Sequence, residues 1–181
     1  MKIMIISDTH GFFKPTEEAF RIMEKEQAEK IIHLGDFIYH GPRNDFDKNY
    51  QPKELVDLLN KHHEKVAIAI KGNCDSEVDE KSLLFKIRKD AIIKVKERQI
   101  YLTHGHFFNE DHIPTFLKPG DVMIRGHFHI PLLKEVEGII VACPGSVGIP
   151  RGGSKPSYII MDDKTMVGKS FDGEILFKFE F

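Results

Sequence analysis

Apolar positions follow two different periods along the chain. Three short apolar runs rich in β-branched residues each predict a buried strand, at residues 2–7, 30–34 and 65–70. Between these runs, apolar positions recur at helical spacing after Pro15 and Pro52, which predicts helices over 15–28 and 52–61. The order strand–helix–strand predicts a parallel sheet with right-handed crossover connections.

The second half of the chain has closely spaced strand-like segments, the first of them at 83–88. Turn-forming residues separate many of these segments, including Asp90, Glu137-Gly138 and Asp172-Gly173. Two sheets packed face to face, with helices outside, would accommodate both halves of the chain. Because no repeat or linker-like stretch interrupts the sequence, we predict one domain over residues 1–181.

The charge of the chain is nearly balanced, since 26 Lys+Arg and 28 Asp+Glu give a net charge of −2 over 181 residues. Without a basic field, dedicated nucleic-acid binding and attachment to an anionic membrane are disfavoured. The apolar run near the N-terminus is too short for a signal-peptide core or a membrane span, so we predict a cytoplasmic protein. Cys74 and Cys143 form no CxxC pair, which argues against a structural zinc site or a disulfide framework.

Polar side chains stand at the carboxyl ends of five predicted strands. These side chains are Asp8, His10, Asp36, Asn73, His104, His127 and His129. In an open α/β sheet such strand ends converge on one crevice, where ligands bind. We therefore expect all of these side chains to contribute to one site.

The spacing and chemistry of this group indicate a metal site. Asp8 and His10 form a D-x-H pair, and His127 and His129 form an H-x-H pair. In an extended segment, residues two apart point to the same side, so both members of each pair could face one ion. Carboxylate, imidazole and amide ligands without thiolate suit Mn, Fe, Zn or Ni with five or six ligands. The set is large for one ion and fits two ions that share a carboxylate.

Five segments in order, "SDTHG", "LGDFIYHG", "KGNCD", "LTHGH" and "GHFH", resemble the motif set of the calcineurin-like metallophosphoesterases. The resemblance covers essentially the whole chain and is strongest to the small single-domain bacterial phosphodiesterases. It implies an α/β fold, namely a four-layer α/β/β/α sandwich (metallo-dependent phosphatase-like) with two mixed sheets flanked by helices. It also implies two divalent metal ions per chain, Mn first, with Ni, Fe, Zn or Mg as alternatives.

The resemblance assigns each predicted ligand. It implies one ion bound by Asp8, His10 and His129, a second bound by Asn73, His104 and His127, and Asp36 as the bridge between them. In the family, a hydroxide held between the ions attacks phosphorus, so no protein nucleophile is needed. The residues expected to act in catalysis are Asp36, Asn73, His104 and Cys74.

Cys74 departs from the wider superfamily pattern, in which many members have His after the Asn. A thiol is a weaker hydrogen-bond donor than an imidazolium and a poorer cation. We therefore hypothesise that Cys74 faces the substrate, protonates the leaving group weakly and favours activated aryl diesters over alkyl diesters.

The long loop after Asp36 contains His40, Arg43 and Asn44, which we expect on the crevice side as substrate-binding residues. Arg favours phosphate through its planar fork, although a loop Arg is commonly only solvated. The Gly-rich segment 148–156 could offer backbone N–H groups to an anion or simply form turns. His106 is expected near the ligands or the substrate, and His33 in a strand as a core histidine.

These observations predict an enzyme that hydrolyses phosphodiester bonds of small substrates. Three alternatives stay open: a phosphomonoesterase, a non-catalytic protein-binding scaffold of the same fold, and a sensor that binds nucleotide without turnover. The resemblance also implies a homo-oligomer, either a dimer or a tetramer.

Overall fold

The computed structural model describes residues 1–42, 44 and 48–181. The first half alternates strands and helices: β1 (Ile3–Ile6), α1 (Phe13–Lys25), β2 (Lys30–His33), α2 (Pro52–Lys61), a short 3₁₀ helix (His63–Lys65), β3 (Val66–Ile70), α3 (Glu77–Ser82) and β4 (Ile87–Arg88). The second half consists of strands and loops: β5 (Ala91–Val95), β6 (Arg98–Thr103), β7 (Val122–Arg125), β8 (Pro131–Val136), β9 (Ile139–Pro144), β10 (Ser157–Met161), β11 (Thr165–Ser170) and β12 (Ile175–Glu180).

The strands form two mixed sheets. The seven-stranded sheet has the order β12-β11-β10-β1-β2-β3-β4, and β1 to β4 run parallel as the strand–helix alternation predicts. The five-stranded sheet has the order β5-β6-β7-β9-β8, with parallel β6, β7 and β9 in its centre. Both chain halves contribute to the seven-stranded sheet, because β10 pairs antiparallel with β1.

Alternation along β1 shows how the sheets pack. Ile5 joins an apolar cluster that includes Leu102 of β6 and Ile124 of β7, so this cluster fills the space between the two sheets. Met4 and Ile6 point the other way, into a second cluster with α1 and α2. Burial of both faces explains why β1 is continuously apolar and why Ile31 and Ile32 in the centre of β2 are both buried. The predicted α/β sandwich of two mixed sheets is confirmed.

The outer face of the five-stranded sheet has a different cover. Its buried residues Tyr101, Met123 and Val141 pack against Leu117 and Ile113, which lie in segment 105–120. This segment is described throughout and has no helix. The outer layer on this side of the sandwich is therefore a loop, whereas α1 and α2 form the outer layer on the other side.

The predicted strand over 83–88 is reduced to β4, and α3 precedes it. Helix α3 begins with a capping box: the Ser76 hydroxyl accepts from Asp79 N (3.2 Å), and the Asp79 carboxylate accepts from Ser76 N (2.9 Å). The S-x-x-D pattern at 76–79 was the signal for this helix start. Among the described residues, no helix is long and apolar enough to cross a membrane.

Candidate metal centre

The seven predicted ligand residues lie at one edge of the sandwich, beyond the carboxyl ends of five strands. The seven-stranded sheet supplies Asp8, His10, Asp36 and Asn73, and the five-stranded sheet supplies His104, His127 and His129. The loops after β1 and β2 continue to pair beyond the sheet, since Asp8 N donates to Gly35 O and His10 N donates to Asp36 O (both 3.0 Å). These bonds hold the two acidic residues in fixed positions relative to each other.

Five of these seven residues have left-handed backbones, with positive φ at Asp8 (57°), His10 (48°), Asp36 (58°), His127 (72°) and His129 (62°). The D-x-H and H-x-H pairs were expected to lie in extended segments, and this expectation is wrong because these residues have positive φ. Both pairs nevertheless lie in one site. Such conformations cost of order 1–3 kcal/mol each for residues with a side chain and cluster at functional sites. Their concentration here marks this edge as functional independently of residue type.

The first group of ligand atoms comprises Asp8, His10 and His129. Asp8 Oδ1 lies 3.7 Å from His10 Nε2 and 3.5 Å from His129 Nε2, and the two Nε2 atoms are 3.4 Å apart. All three residues are buried. The three ligand atoms therefore surround one point.

The second group comprises Asp36, His104 and His127, whose ligand atoms all lie within 4.8 Å of one another. Asp36 Oδ2 is 3.3 Å from His104 Nε2, and Asn73 Oδ1 is 3.0 Å from the same nitrogen. Asp36 Oδ2 is also 3.5 Å from His10 Nε2 in the first group. The Asp36 carboxylate therefore lies between the two groups.

Backbone carbonyls fix the tautomers of three of these histidines. His10 Nδ1 donates to Tyr39 O (2.6 Å), His104 Nδ1 to Leu34 O (2.7 Å) and His129 Nδ1 to Ile149 O (2.6 Å). A carbonyl can only accept, so each Nδ1 carries hydrogen, and each ring presents the Nε2 lone pair to the centre whenever that ring is neutral. Metal-binding histidines have this arrangement, with the second ring nitrogen held by an outer acceptor.

The residues present fit a cation on two further grounds. Asp8 Oδ1 is buried and has no hydrogen-bond partner among the described residues, although a buried carboxylate oxygen normally has one. The neutral rings of His10 and His129 also point two Nε2 lone pairs at each other across 3.4 Å. A positive ion between these three atoms would satisfy all of them.

Electrostatics in the site separate His104 from the other ligating histidines. Burial lowers the pKa of His10 and His129, and lowers the pKa of His127 to about 4, so these rings are neutral at pH 7. Burial acts in the same direction on His104, but its hydrogen bonds to Asp36 and Leu34 O and the charges of Asp8 and Asp36 together outweigh burial and raise the pKa of His104 to about 9. Burial would raise the pKa of Asp36, but its contacts with His104, His10 and Cys74 N together hold this pKa well below its usual range. Asp36 is therefore an anion.

Two glycines allow the close approach of these loops. A Cβ at Gly72 would lie 2.0 Å from Asp36 Oδ1, and a Cβ at Gly126 would lie 2.0 Å from Ser7 Oγ and 2.9 Å from Asp8 Oδ2. No side chain fits at either position without displacing an acidic residue of the site. Because glycine has no side chain, Gly72 and Gly126 allow the ends of different strands to approach each other closely.

Asp75 ties the loop after β2 to the loop after β3. Its Oδ2 accepts from Asp36 N (2.9 Å) and Gly72 N (2.7 Å), and its Oδ1 accepts from Phe37 N (2.8 Å). Burial raises the pKa of Asp75 to about 6, against the effect of its N–H donors, so the carboxylate is ionised at pH 7. Asp75 thereby sets the position of Asp36 relative to Asn73.

Cys74 lies in the site but is a neutral thiol. Its backbone N–H donates to Asp36 Oδ1 (2.8 Å), and Asn73 Nδ2 donates to its Sγ (3.4 Å). Burial, followed by the Asp36 carboxylate, raises the pKa of Cys74 to about 12. A thiol this resistant to ionisation is a poor nucleophile. Its Sγ also falls within 4.8 Å of ligand atoms of His10 and Asp36, so it borders the metal-binding atoms.

A cleft of about 390 Å³ opens over the ligands. The structure places His40 and Asn44 in its wall, as expected, and Asn44 Nδ2 donates to His40 O (2.6 Å). Arg43, the third residue expected here, lies outside the described residues. Cys74 also lines the cleft.

Sequence reasoning missed two residues of the cleft, Arg151 and Phe128. Arg151 N donates to His129 O (3.2 Å), which brings the Gly-rich segment against the H-x-H loop. The sequence signal for Arg151 is that it is the single Arg in segment 148–156, where only backbone N–H groups were expected to bind an anion. His33 is confirmed as a buried core histidine: its Nδ1 accepts from Gly35 N (3.1 Å), and its Nε2 pairs with the Thr9 hydroxyl (3.1 Å).

Two mixed sheets with nitrogen and oxygen ligands gathered at their shared edge define a metal-binding α/β protein. A model of the calcineurin-like phosphoesterase superfamily domain matches residues 1–166. The chain belongs to this superfamily, and membership implies divalent metal ions.

Relatives of known name agree with this assignment. Phosphodiesterase YfcE of Escherichia coli is 38% identical over 167 residues, covering 92% of this chain and 90% of the relative. Phosphodiesterase MJ0936 of Methanocaldococcus jannaschii is 31% identical, covering 84% of this chain and 91% of the relative. The solved structure of E. coli YfcE, described as a phosphoesterase, superimposes with a TM-score of 0.92 at 36% identity and covers 99% of this chain and 98% of YfcE. Zinc-bound Vps29 of Entamoeba histolytica, at 19% identity, TM-score 0.61 and 99% coverage of each chain, shares the fold.

Proposed function

We propose that this chain is a phosphodiesterase that uses two divalent ions, Mn²⁺ first among them, to hydrolyse small phosphodiesters. The observation that carries the proposal is the pair of adjacent ligand groups on either side of Asp36, whose Oδ2 lies 3.5 Å from His10 Nε2 and 3.3 Å from His104 Nε2. Similarity to the two relatives named phosphodiesterase supports the diester as substrate.

One ion would be held by Asp8, His10 and His129, the other by Asn73, His104 and His127, with Asp36 contacting both. When bound, such a pair of ions supplies Lewis acidity and lowers the pKa of water at the site. The protein contributes two carboxylates, Asp8 and Asp36, and otherwise neutral ligands at neutral pH once His104 has lost its proton. Two divalent ions therefore leave the loaded centre positively charged, which favours an anionic phosphodiester.

The remaining cleft residues would orient the substrate. Arg151 provides a permanent cation with a planar donor fork suited to phosphate oxygens. His40 and Asn44 face the same cleft, and we retain Arg43 as a proposed substrate contact. Cys74 remains protonated and can offer only a weak S–H donor to the leaving oxygen.

Turnover by metal-stripped protein tests the proposal. Bis(p-nitrophenyl) phosphate and p-nitrophenyl phosphate are compared as substrates, with Mn²⁺, Ni²⁺, Zn²⁺ or Mg²⁺ added back one at a time. We expect metal-dependent hydrolysis that favours the diester. Preference for the monoester would support a phosphomonoesterase instead, and no metal-dependent activity on either would refute the enzyme.

Metal counting tests the ligand assignment separately from activity. Asn73→Ala and His127→Ala should each reduce bound Mn²⁺ below two ions per chain in equilibrium dialysis. His63→Ala is the matched control, because His63 lies in the 3₁₀ helix before β3 and bonds only Asn60 O (2.8 Å) among the contacts described. Unchanged stoichiometry in the site variants would refute this part.

We further propose that the protein is cytoplasmic and forms a homo-oligomer. The homo-oligomer follows from resemblance to small bacterial enzymes of this type. Light scattering on protein eluting from a size-exclusion column would measure the oligomeric state. A monomer would refute the proposed homo-oligomer.

A further inference from the structure

A second cavity of about 370 Å³ lies beside the metal centre, on the side of the five-stranded sheet. We call it the aromatic pocket; its lining includes Tyr101, Phe107, Phe108 and His112, together with the charged residues Lys89 and Asp90. Its volume falls in the range of small-molecule sites. Nothing in the proposed metal chemistry uses these residues.

His106 forms the wall between the aromatic pocket and the metal centre. The centroid of its ring is 4.1 Å from the ring centroid of Phe107 on the pocket side. On the ligand side, it is 5.4 Å from the ring centroid of His104 and 6.1 Å from that of His127. A group attached to a phosphoryl at the metals therefore needs to extend only past one imidazole ring to reach the pocket. His127 also lines the cleft that contains Arg151, whereas it does not line the aromatic pocket.

The lining selects a flat, neutral group. The Phe107 ring is 60% exposed, with the Lys89 ammonium 6.0 Å from its centre, so an aromatic surface remains open for stacking. Asp90 accepts from the Tyr101 hydroxyl (3.2 Å) and, as a carboxylate, can also accept from a ring N–H. Lys89 and Asp90 cancel each other's charge, which disfavours a second phosphate there.

From these observations we propose that the aromatic pocket binds the retained ester substituent of the phosphodiester, and that this substituent is a nucleoside. The proposal rests on the proposed phosphodiesterase function and narrows it. A diester has two substituents, and the centre is bordered by two cavities. The leaving group would occupy the cleft near Cys74 and Arg151, while the nucleobase stacks on Phe107.

Two substrates with the same p-nitrophenolate leaving group test the proposal: thymidine 5′-(p-nitrophenyl phosphate) and methyl p-nitrophenyl phosphate. Stacking of a base on an aromatic side chain corresponds to roughly five- to 150-fold in affinity. Phe107→Ala should therefore reduce kcat/KM for the thymidine diester roughly tenfold and leave the methyl diester unchanged. Equal losses on both substrates would place the leaving group in the pocket and overturn the proposal, as would no loss on either.

Phe116→Ala is the matched control, because Phe116 lies in the same loop and is 46% exposed but does not line the pocket. It should change neither substrate. A second readout needs no turnover: saturation-transfer NMR should detect thymidine bound to the metal-free chain, and Phe107→Ala should abolish the signal. Binding that survives in Phe107→Ala would overturn the pocket assignment. If the wild-type chain hydrolyses neither diester, the phosphodiesterase proposal fails, whereas the thymidine measurement still decides the pocket.

Discussion

Asp75 offers a sharp test of how the site is held together, because it touches no predicted substrate position. Its carboxylate accepts three buried backbone N–H groups, from Asp36, Phe37 and Gly72. Leaving one buried donor without a partner costs about 1–3 kcal/mol. Asp75→Ala would orphan three donors and cost about 3–9 kcal/mol, a large part of the typical 5–15 kcal/mol stability of a domain.

Asp75→Asn is the more informative change. The amide oxygen can keep the two bonds now made by Oδ2, from Asp36 N and Gly72 N, but the amide NH₂ then faces the N–H of Phe37. We expect one lost bond, about 1–3 kcal/mol of unfolding free energy and a decrease in Tm of about 2–12 °C. The neutral amide oxygen would accept from Asp36 N more weakly than the carboxylate does, and so would hold the predicted ligand Asp36 less firmly. Mn²⁺ affinity should therefore also fall by about 10- to 100-fold, as it does when residues that orient metal ligands are changed in other proteins.

The assay combines thermal unfolding of metal-free protein with Mn²⁺ titration by calorimetry. Asp79→Asn is the control, because its carboxylate also accepts a backbone N–H, from Ser76, but at the exposed start of α3. It should affect stability slightly and Mn²⁺ affinity not at all. If Asp75→Asn binds Mn²⁺ as tightly as wild type, Asp75 does not position the ligands and the reasoning is refuted.

Three further predictions concern other parts of the molecule. Arg125 is 2% exposed and pairs bidentately with Glu110. Arg125→Met should therefore lower the free energy of unfolding, measured by urea denaturation, by about 3–5 kcal/mol, and adding Glu110→Gln should restore part of this loss. Equal stability of the single and double variants would contradict the prediction. Glu26 bonds Lys169 (2.8 Å) and the Tyr158 hydroxyl, contacts that outweigh burial and lower its pKa. Because the pKa of Glu26 is lower in the folded than in the unfolded chain, its carboxylate stabilises the fold at pH values above the unfolded-state pKa of 4.5. Glu26→Gln should therefore lower the free energy of unfolding by about 1 kcal/mol at pH 7, and this loss should shrink below pH 4.5. A loss that stays constant down to pH 3.5 would refute the prediction. Cys74→His should raise turnover of alkyl diesters more than that of aryl diesters, and unchanged rates on both would refute a role for Cys74 in leaving-group protonation.

Much of the site could be predicted from sequence because strand ends are easy to locate. Apolar runs ending in polar residues placed Asp8, Asp36 and Asn73 at one sheet edge, and parallel strands then required these side chains to meet. The order of the runs also predicted β1, β2 and β3 and the helices α1 and α2, with each helix end correct to within a few residues, whereas α3 was not predicted.

The backbone of the ligands could not be predicted in this way. Local preference disfavours positive φ for Asp8, His10 and Asp36, because the Cβ is crowded in that conformation. The conformation is imposed by hydrogen bonds between loops that are distant in sequence, such as Asp8 N to Gly35 O. The same reason applies to Arg151, whose place beside His129 depends on a contact across 22 positions. Helix α3 is different, since its S-x-x-D start was visible in the sequence.

The division of ligands between the sheets makes the interior of the sandwich part of the metal centre. Asp8 belongs to one sheet and its neighbour His129 to the other, and the same holds for Asp36 and His104. The apolar layer around Ile5 and Ile124 fills the space between the sheets. Its thickness therefore sets the distance between ligand residues that lie on opposite sheets, in both ligand groups. A change of a single methyl group deep in that layer would therefore alter the distance between ligand residues on opposite sheets, although every ligand stays the same.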